Sequence, residues 1–134
     1  MSVHVRFRLG DESFALPVAQ VLEVAELGAL APVPGAPPSV LGVRNLRGQV
    51  LPVIDLATVL GSARADEAEK LVITEKAGRR AGFAIDEVTD VGELPGPVQE
   101  TDSPYLSGSA LVQGDLVGIV DIERVFAAVE QGAQ

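Results

Sequence analysis

Alternation of apolar and polar residues is the main pattern along this chain. Apolar side chains occupy every second position from Val3 to Leu9, with polar or charged ones between them, which predicts a half-buried strand. A brief irregular or helical turn is expected at residues 17–19. Further strands are predicted over residues 13–18, 20–27, 43–46, 49–54, 71–74, 80–85, 88–94, 109–112 and 116–120.

Helix caps and turn residues complete this picture. Asp55 is a suitable N-cap for a short helix that Gly61 ends, and Asp121 is a suitable N-cap for a helix reaching Glu130. Residues 28–38 form a stiff loop with four prolines, and residues 62–69 form a polar connector. Many short strands with frequent turns predict an all-β fold, a barrel or a sandwich, and the lack of long helices between strands argues against a doubly wound fold.

An internal repeat appears when the chain is shifted by 66 residues. Gly48 then falls on Gly114 and Asp55 on Asp121, and the flanking apolar positions coincide. The repeat predicts two related small barrels with a partner-binding groove between them. We expect a single domain over residues 1–134, made of two intertwined barrel subdomains at approximately 10–65 and 66–134, with the first strand at 3–9.

Two residues within the repeat disturb regular ladders. Pro52 lacks an N–H group, and Gly118, at the equivalent position, lacks a side chain. We therefore expect each copy to bend or bulge its strand at that position.

Composition and charge narrow the classes of molecule that this chain can bind. The chain has 134 residues, no Cys and a net charge of −9. Residues 1–61 carry five acids and four bases, whereas residues 62–134 carry fourteen acids and six bases. This charge disfavours nucleic acid and anionic membrane surfaces, and no apolar run is long enough for direct membrane insertion. The acidic second half serves solubility or meets a basic partner. A Cys-free chain without a visible signal peptide fits the cytoplasm.

Catalytic chemistry finds little support. The single histidine, His4, has no evident catalytic partner, and no phosphate loop or dinucleotide fingerprint is present. Asp66, Glu67 and Glu69 lack the spacing of a calcium loop. Asp55 follows an apolar strand like the phosphorylated aspartate of response regulators, but helix capping explains both Asp55 and its repeat. We therefore expect no enzyme activity, no cofactor and no metal site.

The segment from Pro32 to Gly61 carries a resemblance. It includes the stretch V-P-G-A-P-P-S-V-L-G-V-R-N-L-R-G-Q-V-L-P-V-I-D-L, and the ending Y-L-S-G-S-A-L-V-Q-G-D-L-V-G-I-V-D-I-E-R-V-F matches as well. The chain resembles the CheW-like family of bacterial chemotaxis coupling proteins from about Val5 to Val129. That resemblance implies two small SH3-like five-stranded β-barrels, two short helices and a hydrophobic groove. It also implies an adaptor, which bridges the cytoplasmic tips of chemoreceptors to the regulatory domain of a CheA-like histidine kinase in receptor arrays.

The same resemblance implies a set of partner-binding residues. The receptor-contacting arginine of the family corresponds to Arg47, Asn45 and Gly48 belong to the same motif, and Val21 and Glu23 match a V-x-E-V element. Structural explanations stand beside these roles, because Gly48 suits a turn, Asn45 suits a bond to the turn backbone and Val21 suits a core.

Arg47 has the weakest structural explanation. Its counterpart in the second repeat is Gln113, so the turn does not need an arginine to form. Its planar guanidinium suits bidentate pairing with a partner's carboxylate.

Two other functions remain open. The largely apolar segment 25–31, which has no basic residue, leaves room for an adaptor of a specialised pathway such as twitching or gliding motility or protein localisation. A phospho-receiver that uses Asp55 is the other.

Overall fold

A computed structural model describes residues 2–62 and 68–131 of the chain. Asp66, Glu67 and most of the predicted connector 62–69 lie outside the described residues. The predicted all-β class with two short helices is confirmed, and so are the approximate positions of its strands. The elements are β1 (Val3–Leu9), β2 (Glu12–Pro17), a 3-10 turn (Val18–Gln20), β3 (Val21–Glu26), β4 (Val40–Leu46), β5 (Gln49–Asp55), α1 (Leu56–Leu60), β6 (Lys70–Lys76), β7 (Arg79–Ile85), β8 (Glu87–Glu93), β9 (Leu106–Val112), β10 (Asp115–Val120) and α2 (Ile122–Glu130).

The strands form two five-stranded sheets of the same topology. The first sheet has the order β8-β1-β2-β10-β9, and the second has the order β3-β6-β7-β5-β4. Each sheet contains one parallel pair, β2 with β10 in the first and β7 with β5 in the second. Replacing each element of one repeat (β1–β5 with α1) by its equivalent in the other (β6–β10 with α2) converts one sheet order into the other.

The sequence repeat and the sheet are different units. The first sheet takes β1 and β2 from the first repeat and three strands from the second, and the second sheet does the reverse. The second sheet thus spans residues 21–85, and the expected subdomain boundary near residue 65 falls inside it. The predicted bounds correspond to the repeats and not to the sheets, because strand pairing crosses between the repeats.

One hydrophobic core joins the two sheets. Buried side chains of both sheets and both helices belong to the same cluster, which includes Phe7, Phe14, Phe83 and Phe126. Phe7 and Phe14 stack with ring centroids 6.2 Å apart, and Phe83 and Phe126 meet edge to face at 6.1 Å. Burying each such side chain contributes about 1.5–3 kcal/mol, so the shared core accounts for the association of the sheets.

In each sheet, a segment outside the ten strands pairs with an edge strand. In the second sheet, Ala31 and Val43 exchange backbone hydrogen bonds of 2.9 and 2.8 Å. In the first sheet, Gln99 and Ser109 do the same at 2.7 and 2.8 Å. The glycines one residue before the paired edge residues, Gly42 and Gly108, allow the segments to approach. A Cβ on Gly42 would lie 2.5 Å from the Ala31 oxygen, and one on Gly108 would lie 2.9 Å from the Gln99 oxygen.

This pairing explains how β5 accommodates Pro52. Val43 lies opposite Pro52, and its N–H and C=O groups are directed to Ala31. The Val43–Pro52 pair therefore exchanges no hydrogen bonds, and the missing N–H of proline costs the sheet nothing on that side.

The expectation of a bulge at Pro52 and Gly118 is wrong. The register shifts lie one residue further along, at Val53–Ile54 of β5 and at Ile119–Val120 of β10. The extra residues belong to the partner strands, Leu41 to β4 and Ser107 to β9.

The two helix caps differ. Asp121 precedes α2, and its side chain accepts a 3.3 Å hydrogen bond from the Arg124 backbone N–H, as predicted. Asp55 occupies the N-cap position of α1 but makes no side-chain bond to the helix backbone. Its Oδ2 accepts a 2.9 Å bond from the Thr58 hydroxyl instead. A hydroxyl one turn into the helix has taken the role expected of a backbone donor.

Candidate protein-binding site

The β4–β5 hairpin presents Arg47 at its tip. Arg47 and Gly48 both have positive φ angles, 51° and 84°. The other two hairpins of this kind contain Ala77 and Gln113 at the equivalent position, with φ angles of 53° and 50°. Because alanine and glutamine adopt the same strained backbone, the turn itself places no demand on the arginine side chain.

Arg47 pairs with Glu23 across the second sheet. The Arg47 Nη2 donates to Glu23 Oε2, and the arginine side chain remains 69% exposed while the glutamate is 33% exposed. Glu23 belongs to β3 and Arg47 follows β4, so the pair connects hairpin and strand from opposite edges of the sheet. The structure therefore brings together two of the residues that the resemblance singled out. We refer to this pair as the Glu23–Arg47 site.

Asn45 and Gly48 shape the turn that carries Arg47. The Asn45 Oδ1 accepts a 2.9 Å hydrogen bond from the Gly48 N–H. A Cβ on Gly48 would meet no atom within 4 Å, so only its backbone angles favour glycine. Both residues thus have a structural role beside any contact with a partner.

Val21 lies apart from the hairpin. It is partly buried and packs against the shared core. Its contribution to the site is to anchor the start of β3, on which Glu23 sits two residues later.

Sequence reasoning missed Arg44, which fastens the segment after β3 to the hairpin. Its Nε donates to the Leu27 carbonyl at 2.9 Å and its Nη1 to the Asn45 carbonyl at 2.8 Å. Gly28 makes room for it, since a Cβ there would lie 2.6 Å from the Arg44 Nε. Gly28, noted in the sequence only as a loop residue, was the available signal.

The chemistry of the site is that of recognition. An exposed ion pair contributes about 0.2–1 kcal/mol, so a partner's carboxylate can replace Glu23 at little cost. Among the described residues, no group of His, Cys, Asp or Glu side chains could hold a metal ion. Within residues 2–62 and 68–131, no helix has the length and apolar character needed to cross a membrane.

Comparison with models of known protein families identifies the family of this chain. The model of the CheW-like domain matches residues 4–130. The chain belongs to the CheW-like family.

Relatives of this CheW-like chain include named chemotaxis proteins. It is 28% identical over 139 residues to the chemotaxis protein CheW of Rhizobium meliloti, covering 96% of this chain and 90% of that protein. It is also 36% identical over 116 residues to protein FrzA of Myxococcus xanthus, covering 85% of this chain and 71% of that protein.

A solved structure shows the same architecture. The crystal structure of the scaffolding protein TtCheW from Thermoanaerobacter tengcongensis matches with a TM-score of 0.81 and 28% identity, over 93% of this chain and 87% of that one. The two five-stranded sheets of the present chain are therefore those of a CheW-type scaffold.

Proposed function

We propose that this CheW-like chain is a non-catalytic adaptor that couples the cytoplasmic tips of chemoreceptors to the regulatory domain of a CheA-type histidine kinase. Its place would be the cytoplasm, at receptor arrays beneath the membrane. Membership of the CheW-like family and its chemotaxis relatives support the adaptor role. The observation that carries the choice of surface is the exposed Arg47 guanidinium, held ready by Glu23.

Arg47 is suited to the proposed contact in three respects. It stands at a hairpin tip where the backbone is fixed by the Asn45–Gly48 hydrogen bond. Its guanidinium can form two parallel hydrogen bonds with a partner carboxylate. Glu23 keeps it oriented before the partner arrives, which lowers the entropic cost of binding. We therefore assign receptor or kinase contact to Arg47, with Glu23, Asn45, Gly48 and Val21 as the residues that position it.

Reconstitution with a matched series of variants tests this proposal. Purified receptor, kinase and adaptor are sedimented together, and the kinase activity of the pellet is measured. Arg47→Gln installs the residue that the second repeat carries in the same turn, so the fold is expected to remain intact, and Arg47→Glu reverses the charge. Both variants are expected to lose co-sedimentation and kinase stimulation.

The control is Gln113→Glu, which alters the equivalent turn of the first sheet. It is expected to behave like the wild type. Retention of binding by both Arg47 variants would remove Arg47 from the interface, and failure of the wild type to join receptor and kinase would reject the coupling role itself.

A second candidate is an adaptor of a specialised pathway with a different partner. The similarity to protein FrzA favours it, since that relative does not carry the CheW name. The largely apolar segment 25–31, which the structure fastens to the Arg47 hairpin through Arg44, is where a different partner would be selected. Receptor and kinase genes beside the gene for this chain support the first candidate, and their absence together with a negative reconstitution supports the second.

A further inference from the structure

Two exposed leucines face each other on the hairpin of the first sheet. Leu111 on β9 and Leu116 on β10 are directly opposed in the antiparallel ladder. Their exposed fractions are 63% and 64%. The equivalent pair on the other hairpin is Asn45 and Val50, so the fold does not require two large apolar side chains at these positions.

A cleft lies beside this pair, between β10, β2 and the loop before β9. Its volume is about 310 Å³, and Leu116 forms part of its wall. Phe14 and Gly118, opposite each other in the parallel β2–β10 ladder, also line it. The leucine pair therefore continues into a recess whose lining includes an aromatic ring.

The lining of this cleft is acidic. The residues that line it include three acids, Asp11, Glu12 and Asp115, and one base, Arg8. Arg8 is already engaged, donating to the Gly10 carbonyl at 3.0 Å and lying 4.0 Å from Asp11. The Asp115 side chain has no hydrogen-bond or ion-pair partner among the described residues, and Asp115 also borders a neighbouring cleft with Arg6 and Arg8.

A cleft beside the equivalent parallel pair of the second sheet, β5 with β7, has the opposite balance of charges, and α2 forms part of its wall. It borders Pro52, the counterpart of Gly118, and its basic side chains are Arg79 and Arg80, with Glu130 as the one acid. The acidic residues beside Leu116 are therefore not repeated in the cleft beside the equivalent strand pair of the second sheet.

We propose that the Leu111–Leu116 face and its acidic cleft form a second protein-docking surface, which binds a segment carrying lysine or arginine next to large apolar side chains. The leucines supply apolar contact, and the carboxylates select a cationic segment and repel acidic ones. The surface belongs to the first sheet, whereas the Glu23–Arg47 site belongs to the second, so this inference stands or falls independently of the coupling role.

Fluorescently labelled synthetic peptides test the proposal with the full chain. The probe is a peptide of alternating lysine and leucine, compared with a glutamate–leucine and a lysine–serine peptide of the same length. Fluorescence anisotropy is expected to show binding of the lysine–leucine peptide that weakens as salt is added. Equal binding of the glutamate–leucine peptide would refute the charge argument, and equal binding of the lysine–serine peptide would refute the leucine argument.

Variants locate the binding on the chain. Leu116→Ser and Asp115→Asn are each expected to weaken the lysine–leucine peptide, the former by roughly tenfold or more. The matched control for Leu116→Ser is Val50→Ser, at the equivalent position of the second sheet. The matched control for Asp115→Asn is Glu93→Gln. Glu93 pairs with Val3, at the opposite end of the β1–β8 ladder from Arg8, which lines the cleft. Urea unfolding verifies that each variant is folded. If the controls weaken binding as much as Leu116→Ser and Asp115→Asn do, the proposed surface is wrong. Arg47→Glu is expected to retain peptide binding, which separates this surface from the Glu23–Arg47 site.

Discussion

The guanidinium of Arg47 and the carboxylate of Glu23 form an ion pair that links opposite edges of one sheet. Arg47 follows β4, Glu23 lies within β3, and three strands separate β3 from β4 in the sheet order. The sheet must therefore curl until its two edges meet, and the pair lies where they do. Formation of this ion pair therefore depends on the closure of the barrel as well as on the two charges.

The pair is expected to contribute little to stability. Arg47→Gln and Glu23→Gln should each lower the free energy of unfolding by less than about 1 kcal/mol, because both charges are partly solvated. Urea unfolding of both single variants and the double variant measures their coupling energy. A coupling well above that value would mean that the ion pair holds the barrel closed.

Gly42 and Gly108 are expected to be intolerant of any side chain. Gly42→Ala places a Cβ against the Ala31 oxygen at a φ of +151°, and Gly108→Ala places one 2.9 Å from the Gln99 oxygen. Each should lower the free energy of unfolding by about 1–3 kcal/mol. Gly92→Ala is the control, since a Cβ there meets nothing within 4 Å and the change is expected to be small. Equal effects in all three variants would contradict this explanation.

Removal of the α2 cap is expected to cost about 1 kcal/mol. Asp121→Ala eliminates the acceptor of the Arg124 N–H, whereas Asp121→Asn retains an oxygen at the same place. Thermal or urea unfolding should rank the wild type and Asp121→Asn close together and Asp121→Ala below them. If the asparagine variant is as unstable as the alanine variant, charge and not capping is the source of the effect.

The pair between Arg6 and Asp90 is expected to make stability depend on pH in the acid range. The hydrogen bond from Arg6, with a second from the Val91 N–H, lowers the pKa of Asp90 below its ordinary value. A carboxyl with a lower pKa in the folded state stabilises the fold above its unfolded pKa, about 3.9, and that contribution is lost as the pH falls through the folded value.

Asp90→Asn should therefore show a shallower loss of stability below about pH 4 than the wild type. Unfolding midpoints across an acid series measure this difference. Asp115→Asn is the comparison, because that carboxylate has no ion-pair partner among the described residues. Parallel curves for the wild type and Asp90→Asn would contradict the expectation.

Asp55 is expected not to accept a phosphoryl group. Its side chain is buried, with the residue 7% exposed, and its Oδ2 accepts the Thr58 hydroxyl. Incubation with acetyl phosphate followed by intact-mass measurement should show no added phosphoryl group, with a response-regulator receiver domain as the positive control. Added mass that disappears in Asp55→Asn would revive the phospho-receiver alternative.

The local elements were predictable because their signals are local. Alternation located the strands, paired turn residues such as Arg47-Gly48 located the hairpins, and the shift of 66 residues revealed that Gly48 and Gly114 have equivalent roles. The exchange of strands between repeats was not predictable, since the apolar residues of a strand do not indicate which other strand it pairs with. The same shift aligns Gly42 with Gly108, a signal that sequence reasoning overlooked.

The candidate site was predictable only through family resemblance. Glu23 and Arg47 are far apart in the sequence, and no local pattern indicates that the edges of one sheet bring them together. Arg44 and Thr58 were missed because their roles depend on the path of neighbouring backbone and on a single hydroxyl. Pro52 was misinterpreted as a disruption of the ladder. Its neighbour Val43 bonds to Ala31 instead, and the sequence does not show that the segment of Ala31 lies there.

The division of strands between the sheets also determines the order in which the emerging chain can fold. The second sheet is complete once residue 85 has been synthesised, whereas β1 and β2 must wait for β8, β9 and β10 before the first sheet can form. During that interval the N-terminal strands have no neighbours on their outer edges, and pairings of such long sequence separation form slowly. A nascent chain stalled before β10 would thus expose Phe7 and Phe14, which makes the β1–β2 hairpin the part that most needs protection while the chain is being translated.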